Sequence, residues 1–286
     1  MDIAVRGLNG LLMIALPLAL GIFLVRRLHL PWAIFGAGGL TFVASQVVHL
    51  PFNRWVLQPF LMRFGLGPES GPAGLVAVAL LLGLSAGVCE EGARYLAYRY
   101  GLRRAREWSQ GVLFGAGHGG VEAILLGLLA LVGLMQAVAY RGVDLGTLLP
   151  PGQVAAAQAQ LAAYWESPWY YALLGALERA SALCVQITLA VLVLQVFVRR
   201  QPGWMAIAIG WHALIDGVAV VAAQVWGVLA TEGLIAILAL VSLCMLYALR
   251  PTPIAPVPAP AAAAPMPLPP ADLPHGDALE SSRYVD

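Results

Sequence analysis

Lysine is absent from the 286 residues, so all 16 basic side chains are arginine. Charge of either sign is scarce, at 11% of the chain with a net charge of +1. That leaves no basic surface for nucleic acid, and none is expected as a partner. Cysteine is limited to Cys89, Cys184 and Cys244. Each falls in an apolar stretch, which argues against a disulfide framework and makes them small buried hydrophobes. No internal repeat is visible, which counts against the two-halves construction of many carriers. Arginine in place of lysine, with leucine and alanine abundant, suits a GC-rich bacterial source.

What the chain has is apolar length. Hydrophobic residues make up 60% of it and its mean hydropathy is +0.80, well outside the soluble range. Runs of about 20 apolar residues, enough to cross ~30 Å of hydrocarbon, predict an all-α polytopic transmembrane helix bundle. Seven spans are read at 8–25, 31–50, 73–100, 108–139, 167–198, 203–223 and 232–249, with counts of six to eight compatible with the same pattern. The stretch 108–139 is long enough to tilt, bend or break. Residues 51–72 and 141–166 read as the longer loops. The membrane domain is placed at 1–250, and the Pro/Ala-rich 251–286 is expected to be a disordered cytoplasmic tail.

The arginines set an expected orientation. Arg26 and Arg27, Arg99 to Arg106, Arg199 and Arg200, and Arg250 fall on one side of a seven-span chain, leaving Arg6, Arg54, Arg63 and Arg141 on the other. The positive-inside rule puts the first group in the cytoplasm, with the N-terminus out and the C-terminus in. The first span ends at Arg26-Arg27 without a small-residue cleavage site, as a retained anchor would. The predicted location is the bacterial cytoplasmic (inner) membrane, with the lipid bilayer as solvent.

Against that background the polar residues inside the spans stand out. Glu90, Glu91 and Arg94 share five positions of the third span, and each charge at mid-membrane costs at least ~2.5–3.5 kcal/mol on an insertion scale. Spacing lets Arg94 reach either carboxylate, at i+3 or i+4. Phe114, His118 and Glu122 follow one face of the fourth span at intervals of four, and His212 pairs with Asp216 on the sixth. Glu91 lies twelve residues before Arg103, His118 twelve after Arg106, and His212 twelve after Arg200. At a helical rise of about 1.5 Å per residue, each sits roughly 18 Å from its arginine. Three helices therefore place polar groups in one layer, which argues for one site.

A carboxylate beside a histidine can activate water as a general base, with the histidine moving protons. One glutamate held as an anion by Arg94 leaves its neighbour poised to take a proton. His212, paired with Asp216, suits a donor to a developing oxyanion. Serine, zinc and aspartyl motifs are missing: there is no HExxH, no GxSG and no GxGD, and Asp216 is the only aspartate inside a span. The glycines of Phe114-Gly-Ala-Gly-His118-Gly-Gly120 fit either a narrow cavity past which a substrate backbone runs or ordinary small-residue helix packing. Glu178-Arg179 reads as structural, or as part of a cavity wall, because neighbouring residues do not face each other on a helix. His29, His49 and His275 call for no functional role.

The combination of EExxR, FxxxH and HxxxD on successive helices resembles the CAAX-protease and bacteriocin-processing superfamily, which includes the PrsW-like proteins. The strings CEEGARYLAYR, FGAGHGGVEAIL, LERASAL and WHALIDG are most similar to the YhfC family of intramembrane proteases, and the resemblance covers most of residues 1–250. It implies that Glu90 or Glu91 with His118 activates water and that Arg94 fixes the carboxylates. His212 with Asp216 would lie opposite as the oxyanion or second-histidine element. Glu122 would orient His118 or serve as a further ligand. Three departures matter. Arg94 comes one residue sooner than in EExxxR, Asp216 replaces an amide, and Gln186 stands where a histidine is expected in many relatives.

The function this implies is hydrolysis of peptide bonds in a membrane-anchored peptide or protein by water activated at Glu90, Glu91, His118 and His212. A metal-free glutamate site is preferred because no spacing is a strict zinc signature. A zinc-dependent metalloprotease is the alternative, its ligands drawn from the same carboxylates together with His118, His212, Glu122 or Asp216. Further alternatives are a proton-coupled transporter and a catalytically idle membrane scaffold.

Overall fold

A computed structural model describes residues 2–67 and 70–251, and within them the chain is all helix and connecting turns. Apart from Pro251, the tail expected over 251–286 lies outside the described residues. Among the described residues, nine α-helices follow in order: α1 (Asp2–Leu28), α2 (Trp32–Phe52), α3 (Gln58–Arg63), α4 (Gly71–Leu96), α5 (Trp108–Ala139), α6 (Pro151–Glu166), α7 (Leu174–Val198), α8 (Gly203–Val225) and α9 (Val228–Ala248). Seven helical stretches among the described residues are long and apolar enough to cross a membrane, the number read from the sequence.

Two expected loops are largely helical. Pro51 lies inside α2, and one π-type turn, Asn53–Leu57, carries that helix into α3, so Trp32–Arg63 is a single apolar stretch. The mild hydropathy of 51–72 concealed this, because a π-turn keeps the backbone hydrogen-bonded without needing a fresh start signal. Residues 141–166 contain the whole of α6, in which no residue is buried. The long fourth span is one unbroken helix of 32 residues, opened by a reciprocal cap between Glu107 and Gln110.

α7 is the central post. Burial covers 72% of its apolar window, against 22–39% for the other spans, and Leu189 to Leu194 are completely inaccessible. α5 packs against α1, α2 and α7, while α4 packs chiefly against α8. Glycine sets the closest of these approaches. A Cβ on Gly117 would lie 1.9 Å from the Phe35 carbonyl oxygen, and one on Gly38 would lie 2.0 Å from that of Phe114. The glycines around His118 therefore bring helix backbones together. The close approaches fit the small-residue packing reading.

The ends of the bundle are distinct. The end of α4 and the starts of α2 and α5 meet around Ile34, Tyr100 and Gln110, and Trp108 Nε1 donates to Leu246 O of α9 at 3.1 Å. This end carries Arg26, Arg27, Arg99 to Arg106, Arg199, Arg200 and Arg250, and is called the arginine face below. At the other end, the far face, Arg6 Nη2 donates to Ser167 Oγ at 3.0 Å and its guanidinium lies 4.3 Å from the centre of the Tyr164 ring.

Candidate functional site

Four spans deliver the polar layer to one place. On α4, Glu90 and Glu91 point to different neighbours because adjacent helical residues diverge by about 100°. Glu90 Oε2 lies 3.1 Å from His118 Nε2 of α5. Glu91 Oε1 lies 2.7 Å from His212 Nδ1 of α8 and also accepts a hydrogen bond from Arg94 Nη1. Arg94 Nη2 donates to the Gln186 amide oxygen on α7 and sits 3.6 Å from Glu90 Oε2. Glu91, Arg94 and His118 are fully inaccessible, and Glu90 and His212 are buried. Burial of this kind is tolerable only because each charge has a close opposite charge and a directed hydrogen bond.

Glu90 has further partners that the sequence did not announce. Gln46 of α2 donates from Nε2 to Glu90 Oε1 at 3.1 Å, and Phe42, one turn earlier, meets the His118 ring edge-on with centroids 5.3 Å apart. A glutamine in an apolar helix is a visible signal, since a buried amide in a membrane needs a partner. Gln186, noted above only as standing where a histidine is expected, bridges Arg94 to the next carboxylate by donating to Glu122 Oε2 at 2.8 Å.

Two expectations need correction. Glu122 does not support His118. It pairs with Arg179 Nη1 at 2.6 Å and with Gln186, because a carboxylate one turn along α5 reaches the facing α7 before it reaches its own helix. Glu178 and Arg179 do interact, through Arg179 Nη2 and Glu178 Oε1. The long arginine side chain folds back over its neighbour, which a rule based on Cβ directions overlooks. His212 has a second carboxylate neighbour besides Asp216. Its Nδ1 faces Glu91 and its Nε2 lies 3.5 Å from Asp216 Oδ2, so carboxylates flank both nitrogens. Phe114 is fully buried against Tyr98, ring centroids 4.8 Å apart, and seals the layer on its arginine side. The three cysteines are free thiols, but none is buried within the bundle: Cys89 and Cys184 are half-buried and Cys244 is exposed.

The arrangement therefore consists of a carboxylate–histidine pair, Glu90 with His118, beside a second carboxylate clamped by an arginine and a histidine. The first half has the makings of a general base; the second supplies fixed charge. A family model described as YhfC intramembrane metalloprotease matches residues 12–246 of this sequence. The chain belongs to the YhfC family. It is 34% identical over 215 residues to an uncharacterized membrane protein named YhfC from Bacillus subtilis (strain 168), an alignment that covers 73% of this chain and 80% of that one. No solved structure matches. With its seven apolar helices and this bacterial relative, the chain is a multi-pass bacterial membrane protein.

The YhfC description raises the question of a metal. Among the described residues, no three His, Cys, Asp or Glu side chains converge on a point that could hold an ion. Glu90, Glu91, His118 and His212 come nearest, but the Arg94 guanidinium lies against both carboxylates. The buried atoms without a protein partner here are Glu91 Oε2, Arg94 Nε and His118 Nδ1. A cationic donor among them suits water, which can both give and accept a hydrogen bond, and repels a dication. As arranged, these residues do not fit a metal ion.

Proposed function

We propose that this protein is an intramembrane peptidase that hydrolyses membrane-associated polypeptides with water activated by Glu90 and His118. The observation that carries this reading is the division of labour between neighbouring carboxylates. Glu91 is fixed by Arg94 and His212, whereas Glu90 faces a fully buried histidine and an amide. Membership of a family described as intramembrane metalloprotease supports intramembrane peptide-bond hydrolysis as the reaction class.

In the proposed step, Glu90 takes a proton from water as the oxygen attacks the scissile carbonyl carbon. The carbonyl electrons move onto oxygen, forming a tetrahedral oxyanion. His118, hydrogen-bonded to Glu90, steadies the charge and helps return the proton to the leaving amide nitrogen as the C–N bond breaks. Arg94 and Glu91 keep their positions throughout and fix the local field, so no charge need be reorganised around the reaction. Asp216 shares His212 and cannot donate when ionised, so the amides of Gln46 and Gln186 are the neutral donors bordering Glu90.

The family description favours a rival reading in which zinc is required. Cleavage of membrane-anchored peptides by detergent-purified protein separates the two. The proposed mechanism expects cleavage to survive exhaustive chelation and to disappear in Glu90→Gln. Loss on chelation with recovery on added zinc would overturn the metal-free mechanism.

A further inference from the structure

The polar layer is not symmetric between the two faces of the bundle. Toward the arginine face, Arg94 is followed by Tyr98, Leu113, Phe114 and Leu194, all completely inaccessible. Tyr98 also packs on Phe197, ring centroids 6.0 Å apart, and its hydroxyl donates to Ala190 O at 3.2 Å. The next charged group outward is Arg106, whose Nη2 donates to Tyr98 O at 3.1 Å. Between the two arginines lies an apolar plug.

Toward the far face, two polar branches continue from the same centre. One runs along the far half of α2 and the turn after it, where His49 and Asn53 follow Gln46. His49 Nε2 lies 3.1 Å from Ser85 Oγ of α4 and 2.9 Å from Asn53 Nδ2, and Ser85 Oγ donates to Asn53 Oδ1 at 2.9 Å. Asp216 of α8 belongs to this side, one turn beyond His212. The other branch runs from Gln186 through Glu122 and Arg179 to Glu178.

Small polar groups joining helices would explain the hydrogen bonds alone. They do not explain Asp216, whose side chain is 41% exposed near the middle of α8. A carboxylate facing lipid at that depth is costly, so its exposed part faces water. Glu178 is similarly open, with 37% of its side chain exposed at the end of the second branch.

We infer that water, and with it the scissile segment of the substrate, reaches Glu90 from the far face, while the plug around Tyr98 closes the arginine face. His49, Ser85 and Asn53 are then residues of the access path, although the sequence offered no role for His49. With the arginines in the cytoplasm, as the positive-inside rule expects, the substrate is a membrane-anchored polypeptide cut on its extracytoplasmic side. The substrate half of this inference rests on the proposed hydrolysis; the water half does not.

Single cysteines in the full-length protein, with Cys89, Cys184 and Cys244 replaced by alanine, test the path directly. The probe is a small, membrane-impermeant cationic methanethiosulfonate applied to spheroplasts and to inverted vesicles. Gln153→Cys on exposed α6 marks the far face and Arg103→Cys marks the arginine face. Ser85→Cys, which is nearly isosteric, and Asn53→Cys are expected to react from the side that labels Gln153→Cys and to be protected from the side that labels Arg103→Cys. Leu113→Cys is expected to be silent from both. Reaction of Ser85→Cys and Asn53→Cys from the Arg103→Cys side, or of neither from the far face, overturns the path, and the two positions guard against one variant failing to fold. Because labelling reads access and not turnover, its failure is distinct from a failure of the hydrolysis reading. Peptide cleavage by oriented proteoliposomes completes the test: cutting only of segments presented at the far face is expected, and cutting only at the arginine face overturns the substrate half.

Discussion

Glu90 and Glu91 are neighbours in the chain but sit in opposite surroundings. Around Glu91, from α4 and α8, gather Arg94, His212 and, through His212, Asp216, so that every contact is a fixed charge or a shared proton. Around Glu90, from α2, α5 and α7, gather His118, Gln46 and Gln186, of which only the histidine can carry charge. Arg94 stands 3.6 Å from Glu90 but hydrogen-bonds Glu91 directly. In the proposed mechanism, one helical step turns two identical side chains into an anchor and a reactive group. Loss of Glu90 should be felt in chemistry, and loss of the Glu91 side in folding.

The largest expected effect tests the reactive half. Glu90→Gln keeps the shape and hydrogen-bonding reach of the side chain but removes the base. Peptide cleavage should fall by about 10²- to 10⁴-fold, the range for a general base, while the thermal unfolding midpoint changes little. On the anchor half, Arg94→Met strands buried Glu91 without its cation. Removing one partner of a buried ion pair costs about 3–5 kcal/mol, so the unfolding midpoint and the yield of folded protein should drop sharply. Adding Glu91→Gln to that variant should recover part of the loss, and no recovery would break the assignment of Glu91 as the partner.

A smaller effect probes the frame shared by both halves. Gly117→Ala drives a methyl into the Phe35 carbonyl of α2. Overpacking of this kind costs about 1–3 kcal/mol, and it should lower activity as well, because α2 carries Gln46 and α5 carries His118. Smallest of all is Tyr98→Phe. It deletes one hydrogen bond to Ala190 O in the plug and should cost about 1 kcal/mol in thermal unfolding, with cleavage retained.

The spans, the polar layer and the meeting of α4, α5 and α8 were legible because burying charge in lipid is so costly that Glu90, Glu91, Arg94, His118 and His212 announce themselves. Their matched distance from the arginines followed from helical rise alone. Partner choice was not legible. Whether Glu122 meets His118 or Arg179 depends on how α5 and α7 are rotated against each other, and glycine packing at Gly115 and Gly119 against Ile187 and Gln186 sets that rotation. Gln46 was passed over because an uncharged amide raises no alarm in a hydropathy profile, and His49 because it lies near the end of its span. The helical run from α2 into α3 was hidden by Pro51, which usually marks a break.

The most direct test compares Glu90→Gln with Glu91→Gln side by side in chelated, detergent-purified protein, measuring cleavage rate and unfolding midpoint for each. If Glu90 is the base and Glu91 the anchor, Glu90→Gln will be folded and inactive, while Glu91→Gln will be less stable and will retain measurable cleavage. A folded Glu90→Gln that cleaves at the unmodified rate, or a stable Glu91→Gln with no cleavage, would contradict the assignment.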